Sequence, residues 1–251
     1  MSKPRLLLAV IAGMWGIAIG AGTALADGSS ISPTRLVFAK SHISNSITIT
    51  NAGPTLRRYS VAAYAWDQAD TNPIALTGTN DVVFFPGSFS VGPYQSQRIR
   101  VGTVTLTGPL ERTYRVVVTE LPPLQTVLSP GSTGLAFATG FSIPVYVQPL
   151  VPHPAADVGG VAIDRSAIHV VIRNTGNVHF VATTMQVDAL GDAGTLESQG
   201  SSSWFVLAQR ARTITVPITP GSCAAIKSVF VRVDAGSFHF EQTVTPERSC
   251  G

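Results

Sequence analysis

The side chains best able to do covalent or metal chemistry are few in this sequence. Histidines stand at His42, His153, His169, His179 and His239, and the only cysteines are Cys223 and Cys250. No two histidines share a ligand spacing, and neither cysteine has a CxxC partner. There is no GxSxG elbow, HExxH pair, phosphate-cradling loop or dinucleotide glycine pattern. The acidic residues lie near predicted turns, and no carboxylate pair is spaced for acid–base work. The chain reads as non-enzymatic, with no metal and no cofactor expected. His169 and His179 flank an NTGN turn and are expected on exposed strand surfaces. What remains is recognition of an anion. Arg35 sits in SPTRLVF, a segment otherwise suited to burial, and an arginine there is costly unless it meets a negative charge. The alternative is a guanidinium that snorkels to solvent from an edge strand.

A second feature concerns backbone. In GLAFATGFSIPVYVQP, Gly134–Pro149, the alternate positions Leu135, Phe137, Thr139, Phe141, Ile143, Val145 and Val147 form one mostly apolar face. That pattern predicts a strand from Leu135 to Val147, about 40 Å long. Either this face covers the strand's own core, or part of it is offered to another protein. Pattern alone leaves both open.

Around these residues the chain is all-β in character. Short alternating runs (SPTRLVFAK, NSITITN, RRYSVAAYAWDQ, DVVFF, QSQRIRVGTV, TYRVVVTELP) are separated by turn residues, and helical periodicity is scarcely visible. After the proline-rich VPHPAADVGG a second series follows: AIHVVIRNT, HFVATTMQVDAL, SSWFVLA, RTITVPI, KSVFVRVDA and FHFEQTVT. Proline cannot donate to a sheet ladder, so the segment reads as a hinge between two β-sandwich domains, residues 27–148 and 149–251. Residues 1–26 have a basic start, an apolar run and the ending Ala24-Leu25-Ala26, the pattern of a cleaved secretory signal peptide. No later run approaches a spanning helix, so no membrane insertion is expected after cleavage. Cleavage removes Lys3 and Arg5 and no acidic residue, so the formal balance falls from +3 to +1. A nearly neutral chain gives no electrostatic case for nucleic acid or an anionic membrane. In an exported protein the two cysteines are expected to pair, the alternative being two free thiols.

SPTRLVF near the mature start, AYAWDQ, the QxxR pattern within QSQRIRV, and above all TYRVVVTELPP followed by a long alternating strand and VQP resemble the PapD-like periplasmic chaperones of chaperone–usher pilus assembly. The resemblance is strongest over residues 32–149. It implies two immunoglobulin-like domains in an L-shaped arrangement, a periplasmic location, pilus or fimbrial subunits and an outer-membrane usher as partners, and donor-strand complementation as the mode of binding. Both the sandwich and this strand-lending mode are general examples for the family and not inferences from this chain. The resemblance makes Leu135, Phe137, Thr139, Phe141 and Ile143 the donor face, with Thr139 the weakest filler. Leu124–Gly134 is then a loop that orders on binding.

The same resemblance places Arg35 in the interdomain cleft, gripping the subunit's terminal carboxylate, for which a guanidinium fork is suited. The best-studied branch adds a lysine in the long strand, where this chain has Pro144, with Ser142 two residues before. That departure fits the divergent, archaic branch and requires another cation. Arg115, in the middle of TYRVVVTE with Tyr114 and Val116 on the opposite face, is the first candidate and Arg100 the second. Glu120 is expected to pair with an interdomain cation or to close its strand, and Trp66 to pack in the first sandwich. Two rival classes remain at this level: a pilus subunit or adhesin, and a carbohydrate-binding accessory module.

Overall fold

The computed structural model describes residues 28–40, 42–69, 72–105, 107–122, 139–201, 204–236 and 238–250. Their architecture is all-β, with one short 3-10 turn at Cys223–Ala225 and no α-helix among the described residues. Nor is any described helix long and apolar enough to cross a membrane. The first half contributes β1 (Ser29–Ser32), β2 (Leu36–Phe38), β3 (Ser44–Asn51), β4 (Arg57–Ala69), β5 (Asn72–Gly78), β6 (Val82–Phe85), β7 (Ser88–Val91), β8 (Ser96–Thr103), β9 (Arg112–Leu121) and β10 (Gly140–Val147). The second contributes β11 (Ala156–Asp164), β12 (Ala167–Asn174), β13 (Phe180–Ala182), β14 (Thr184–Gly191), β15 (Gly194–Ser201), β16 (Trp204–Val206), β17 (Ala211–Pro217), β18 (Ser228–Asp234), β19 (His239–Val244) and β20 (Glu247–Ser249).

In the N-terminal lobe a sheet ordered β1-β3-β8-β6 faces one ordered β2-β10-β9-β4-β5, with β7 also paired to β4. Alternation does the folding. Ile47 and Ile49 of β3, Ile99 and Val101 of β8, and Tyr114, Val116 and Val118 of β9 all point inward, each at most 2% exposed, and share one core. The C-terminal lobe repeats the plan with sheets β17-β12-β11-β20 and β15-β14-β18-β19 and a small pair β13-β16, around its own core. This is the two-sandwich architecture expected.

Three local expectations change. SPTRLVFAK carries only the short β2, preceded by β1. Strands β5 and β7, which the sequence pattern did not reveal, pair with β4 and are stabilised by the ladder they join. The hinge also shortens: Ala156–Gly160 of VPHPAADVGG belongs to β11, paired with β12 through a bulge.

Cys223 and Cys250 form a disulfide across a separation of 27 residues. It ties the segment after β20 to the 3-10 turn, and β20 is held otherwise by a short parallel pairing to β11. Replacing both cysteines by serine is expected to lower the stability of the C-terminal lobe by roughly 3 kcal/mol, the chain-entropy value for a loop of this size. Guanidinium titration followed by lobe-specific probes would show that loss with the N-terminal lobe unchanged.

Candidate functional site

The strand that the sequence singles out, β10, has two unlike sides. On one it pairs antiparallel with β9 over its whole length, Gly140 to Thr119 through Val147 to Arg112. On the other, β2 runs parallel to it but covers only Val145–Val147. Gly140–Ile143 therefore have no strand partner on that side among the described residues. The hydrogen bond from Glu120 N to Thr139 O fixes the phase of the ladder. Odd residues bond toward β9, so the N–H and C=O groups of Gly140 and Ser142 face the open side, while the Val145–Leu36 register gives the carbonyl of Pro144 to the N–H of Leu36. Proline supplies no donor there.

Of the five proposed donor residues, Leu135 and Phe137 lie outside the described residues, and so does Leu124–Gly134. Ile143 requires a correction. It is 2% exposed and sits in the core of its own lobe with Val145 and Val147, so it is not free to fill another protein's pocket. Phe141 is half-buried against the edge of that core, and Thr139 precedes the strand. The reason is geometric: this parity faces the lobe's own core along β10, fully at Ile143 and only partly at Phe141.

The opposite parity leads to the other candidates. Arg115, opposite Pro144 in register, projects from the outer face of β9, away from Tyr114 and Val116. It is nonetheless only 9% exposed, because the C-terminal lobe covers this end of the sheet. Trp66, Tyr146 and Leu207 form a small apolar cluster there, with Phe205 against it. Trp66 thus packs between the lobes and not within the first sandwich. Its indole meets Phe205 edge-on at 4.9 Å, and the Arg115 guanidinium lies 3.9 Å above it. Among the described residues Arg115 otherwise makes only long contacts, from Nη1 to Ser142 O and Oγ at 3.4 Å each, and its buried Nε has no partner. Burial lowers its affinity for a proton, and proximity to Tyr146 opposes this.

Arg35 precedes β2 and is exposed. Arg35 and Arg115 both act electrostatically on Tyr146, so the fold brings these two cations to one tyrosine. Arg100 is not with them. It stands on the outer face of the other sheet, beside Ser44, Ser46, Val83 and Phe85, because β8 pairs with β3 and β6, and its neighbours Ile99 and Val101 take the inward positions.

Polar contacts flank the apolar cluster. Gln68 Nε2 donates to Phe205 O at 3.2 Å, and Gln68 Oε1 accepts from Leu207 N at 2.8 Å. Arg210 clasps Asp67 bidentately at 2.7 and 3.0 Å and holds that carboxyl below the usual range. The two partners are 45% and 60% exposed, so this pair contributes about 1 kcal/mol at most. Full burial of each large apolar side chain gives roughly 1.5–3 kcal/mol, so the cluster dominates the seam.

On the far side Glu111 Oε2 accepts from the backbone N and Nδ1 of His179 at 2.8 and 2.6 Å, and the imidazole stacks on Tyr146 at 3.6 Å. His179 is therefore an interlobe residue and not the exposed strand residue expected. Neither it nor Glu111 carries a local signal that would have marked it. Glu120, by contrast, pairs within its own lobe, with Arg57 at 2.6 Å. On the outer face of the C-terminal lobe Asp164, His169 and Thr215 form a hydrogen-bonded row. The histidine and aspartate are 34% and 42% exposed, so solvent screens this pair strongly.

Solved structures similar to this two-lobed plan include pilus and fimbrial chaperones. A chain of the chaperone–tip adhesion subunit pre-assembly complex CsuC–CsuE, from the archaic chaperone–usher Csu pili of Acinetobacter baumannii, superposes with a TM-score of 0.56 at 13% identity, covering 88% of this chain and 99% of that one. For the class 5 fimbriae chaperone CfaA the values are 0.58, 13%, 87% and 100%. For the complex of the Salmonella enterica pilin SafA with the SafB chaperone they are 0.52, 14%, 86% and 96%. At these identities the likeness is one of fold. No curated protein matches the chain in sequence. Residues 28–151, however, match the family described as pili and flagellar-assembly chaperone, PapD N-terminal domain. The N-terminal lobe thus carries the N-terminal domain of the pili and flagellar-assembly chaperone family.

Burial raises the Tyr146 hydroxyl to about 12, with Glu111 adding to the shift and Arg115 and Arg35 opposing it. A raised tyrosine favours the neutral folded state, so its contribution is intact below pH 10 and is lost as pH climbs toward 12, by up to about 1.4 kcal/mol per pH unit. Tyr146→Phe should flatten that part of the stability profile. Tyrosinate absorbance and unfolding midpoints between pH 9 and 12 would measure it.

Proposed function

We propose that this chain is a periplasmic chaperone that binds a pilus or fimbrial subunit by lending it the open edge of β10, and passes it to an outer-membrane usher. Residues 1–26 act as the export signal, and the lobes divide as residues 27–148 and 149–251. The observation that carries the proposal is the stretch Gly140–Ile143, open on one side among the described residues and leading to Pro144 opposite Arg115, a cation whose buried Nε lacks an acceptor among those residues. A subunit sandwich lacking one strand would pair with that edge, and its terminal carboxylate would enter between Arg35 and Arg115. Pro144 in place of a lysine supports assignment to the archaic branch, with Arg115 supplying the second positive charge.

Magnitudes show that backbone pairing is insufficient alone. The four edge groups of Gly140 and Ser142, at about 0.5–1.5 kcal/mol net each, roughly match the lower part of the 4–15 kcal/mol that association costs. Apolar anchors at ~1.5–3 kcal/mol each must supply the rest. With Ile143 committed to its own core, these are Phe141 and, further toward the amino end, Phe137 and Leu135.

Co-expression with a pilus subunit is expected to yield a soluble one-to-one complex. Arg35→Ala should abolish it while leaving the free protein folded, since Arg35 is exposed. Undiminished binding by that variant would rule out the carboxylate clamp. The pair Phe137→Ser and Phe141→Ser tests the strand separately, and unchanged affinity there would reject strand lending.

A further inference from the structure

The Asn174–Asn177 turn joins three parts of the molecule. Asn174 is fully buried, and its Nδ2 donates to Val178 O and Val206 O at 2.9 and 3.1 Å while its Oδ1 accepts from Gly176 N at 2.9 Å. The shape of the turn is thus set from inside the C-terminal lobe. Gly176 lies directly on the linker: a Cβ there would stand 2.4 Å from His153 O and 2.5 Å from Ala155 N. Only glycine allows that approach.

Asn177 then uses all its polar groups across the junction. Its N–H donates to His153 O at 3.0 Å, and its Oδ1 accepts from His153 N at 2.6 Å. Its Nδ2 donates to Val151 O at 2.9 Å and to Pro109 O at 3.0 Å, and its carbonyl accepts from Glu111 N at 2.9 Å. Pro109 and Glu111 belong to the N-terminal lobe, Val151 and His153 to the linker. Two residues on, His179 holds the Glu111 carboxylate and stacks on Tyr146.

From this juxtaposition we infer that Asn177 is the pin of the hinge, a positioning residue that presets the angle between the lobes and hence the cleft beside Tyr146 and Arg115. It touches neither the open edge of β10 nor Arg35. Its effect on binding is through pre-organisation: a protein holding the competent orientation one time in ten binds about ten-fold more weakly. The binding part of this inference rests on the chaperone proposal above; the hinge part does not.

Residual dipolar couplings on the free mature protein test the hinge directly. One alignment tensor should fit both lobes of the parent. In Asn177→Ala, and in Asn177→Asp, which keeps the acceptor for His153 N but loses both donations, the lobes should require separate tensors. Affinity for the co-expressed pilus subunit should fall about ten-fold in each. A single tensor fitting both lobes of the variants overturns the inference, as does loss of the folded C-terminal spectrum in both, which would make the turn an element of that lobe's folding. Loosened lobes with unchanged affinity overturn the positioning role. If even the parent binds no subunit, the chaperone proposal fails, and the couplings still decide the hinge.

Discussion

The apolar contact of Trp66 and Tyr146 with Leu207 is the interaction on which the rest of the molecule turns. Two sandwiches joined by a few linker residues need this seam as well as the Asn177 turn to keep one orientation, since surface ion pairs such as Arg210–Asp67 are too screened to hold them. Once the seam closes, it also changes the chemistry beneath it. Arg115, which strand alternation would send into water, is instead dried and laid on the Trp66 ring, with too few acceptors of its own. The same closure raises the Tyr146 hydroxyl. Contact between lobes and electrostatic character of the cleft thus have one cause.

Strand β10 meets two demands with a single residue pattern. Toward its carboxyl end, β2 on one side and β9 on the other make it an interior strand whose odd residues fill the core. Toward its amino end β2 has stopped, and the sheet ends at β10. The change from interior to edge occurs within the strand, at Pro144, with no break in alternation.

Much of this was legible in residues. Period-two patterning located β3, β4, β8, β9, β12, β17 and β18 because each has a core-facing row of large apolar side chains. It missed β1, β5, β7, β15 and β20, whose stability comes from neighbours and not from their own pattern, and β11, whose start the proline-rich and glycine-rich VPHPAADVGG disguised as a hinge. Cys223 and Cys250 could be paired by compartment and count. Arg35 and Arg115 were visible as cations within strand segments, and their convergence on Tyr146 is what folding adds. Arg100 had the same local appearance and lies in the opposite sheet. Ile143 shared the parity of Phe141, and only its depth in the core separates the two. The Glu111–His179 contact, the moved Trp66 and the Asn177 junction join residues dozens of positions apart, and nothing in their immediate surroundings announces it.

An unpaired strand edge invites any extended chain, including another copy of the same protein. Here the invitation is incomplete, since the open edge stops at Pro144, which brings no N–H, and the full alternation of donors and acceptors is interrupted. Indefinite stacking of identical copies requires a complete, repeating ladder. A single proline can thus leave the edge usable by a partner with additional anchoring points while making it a poor seed for fibres.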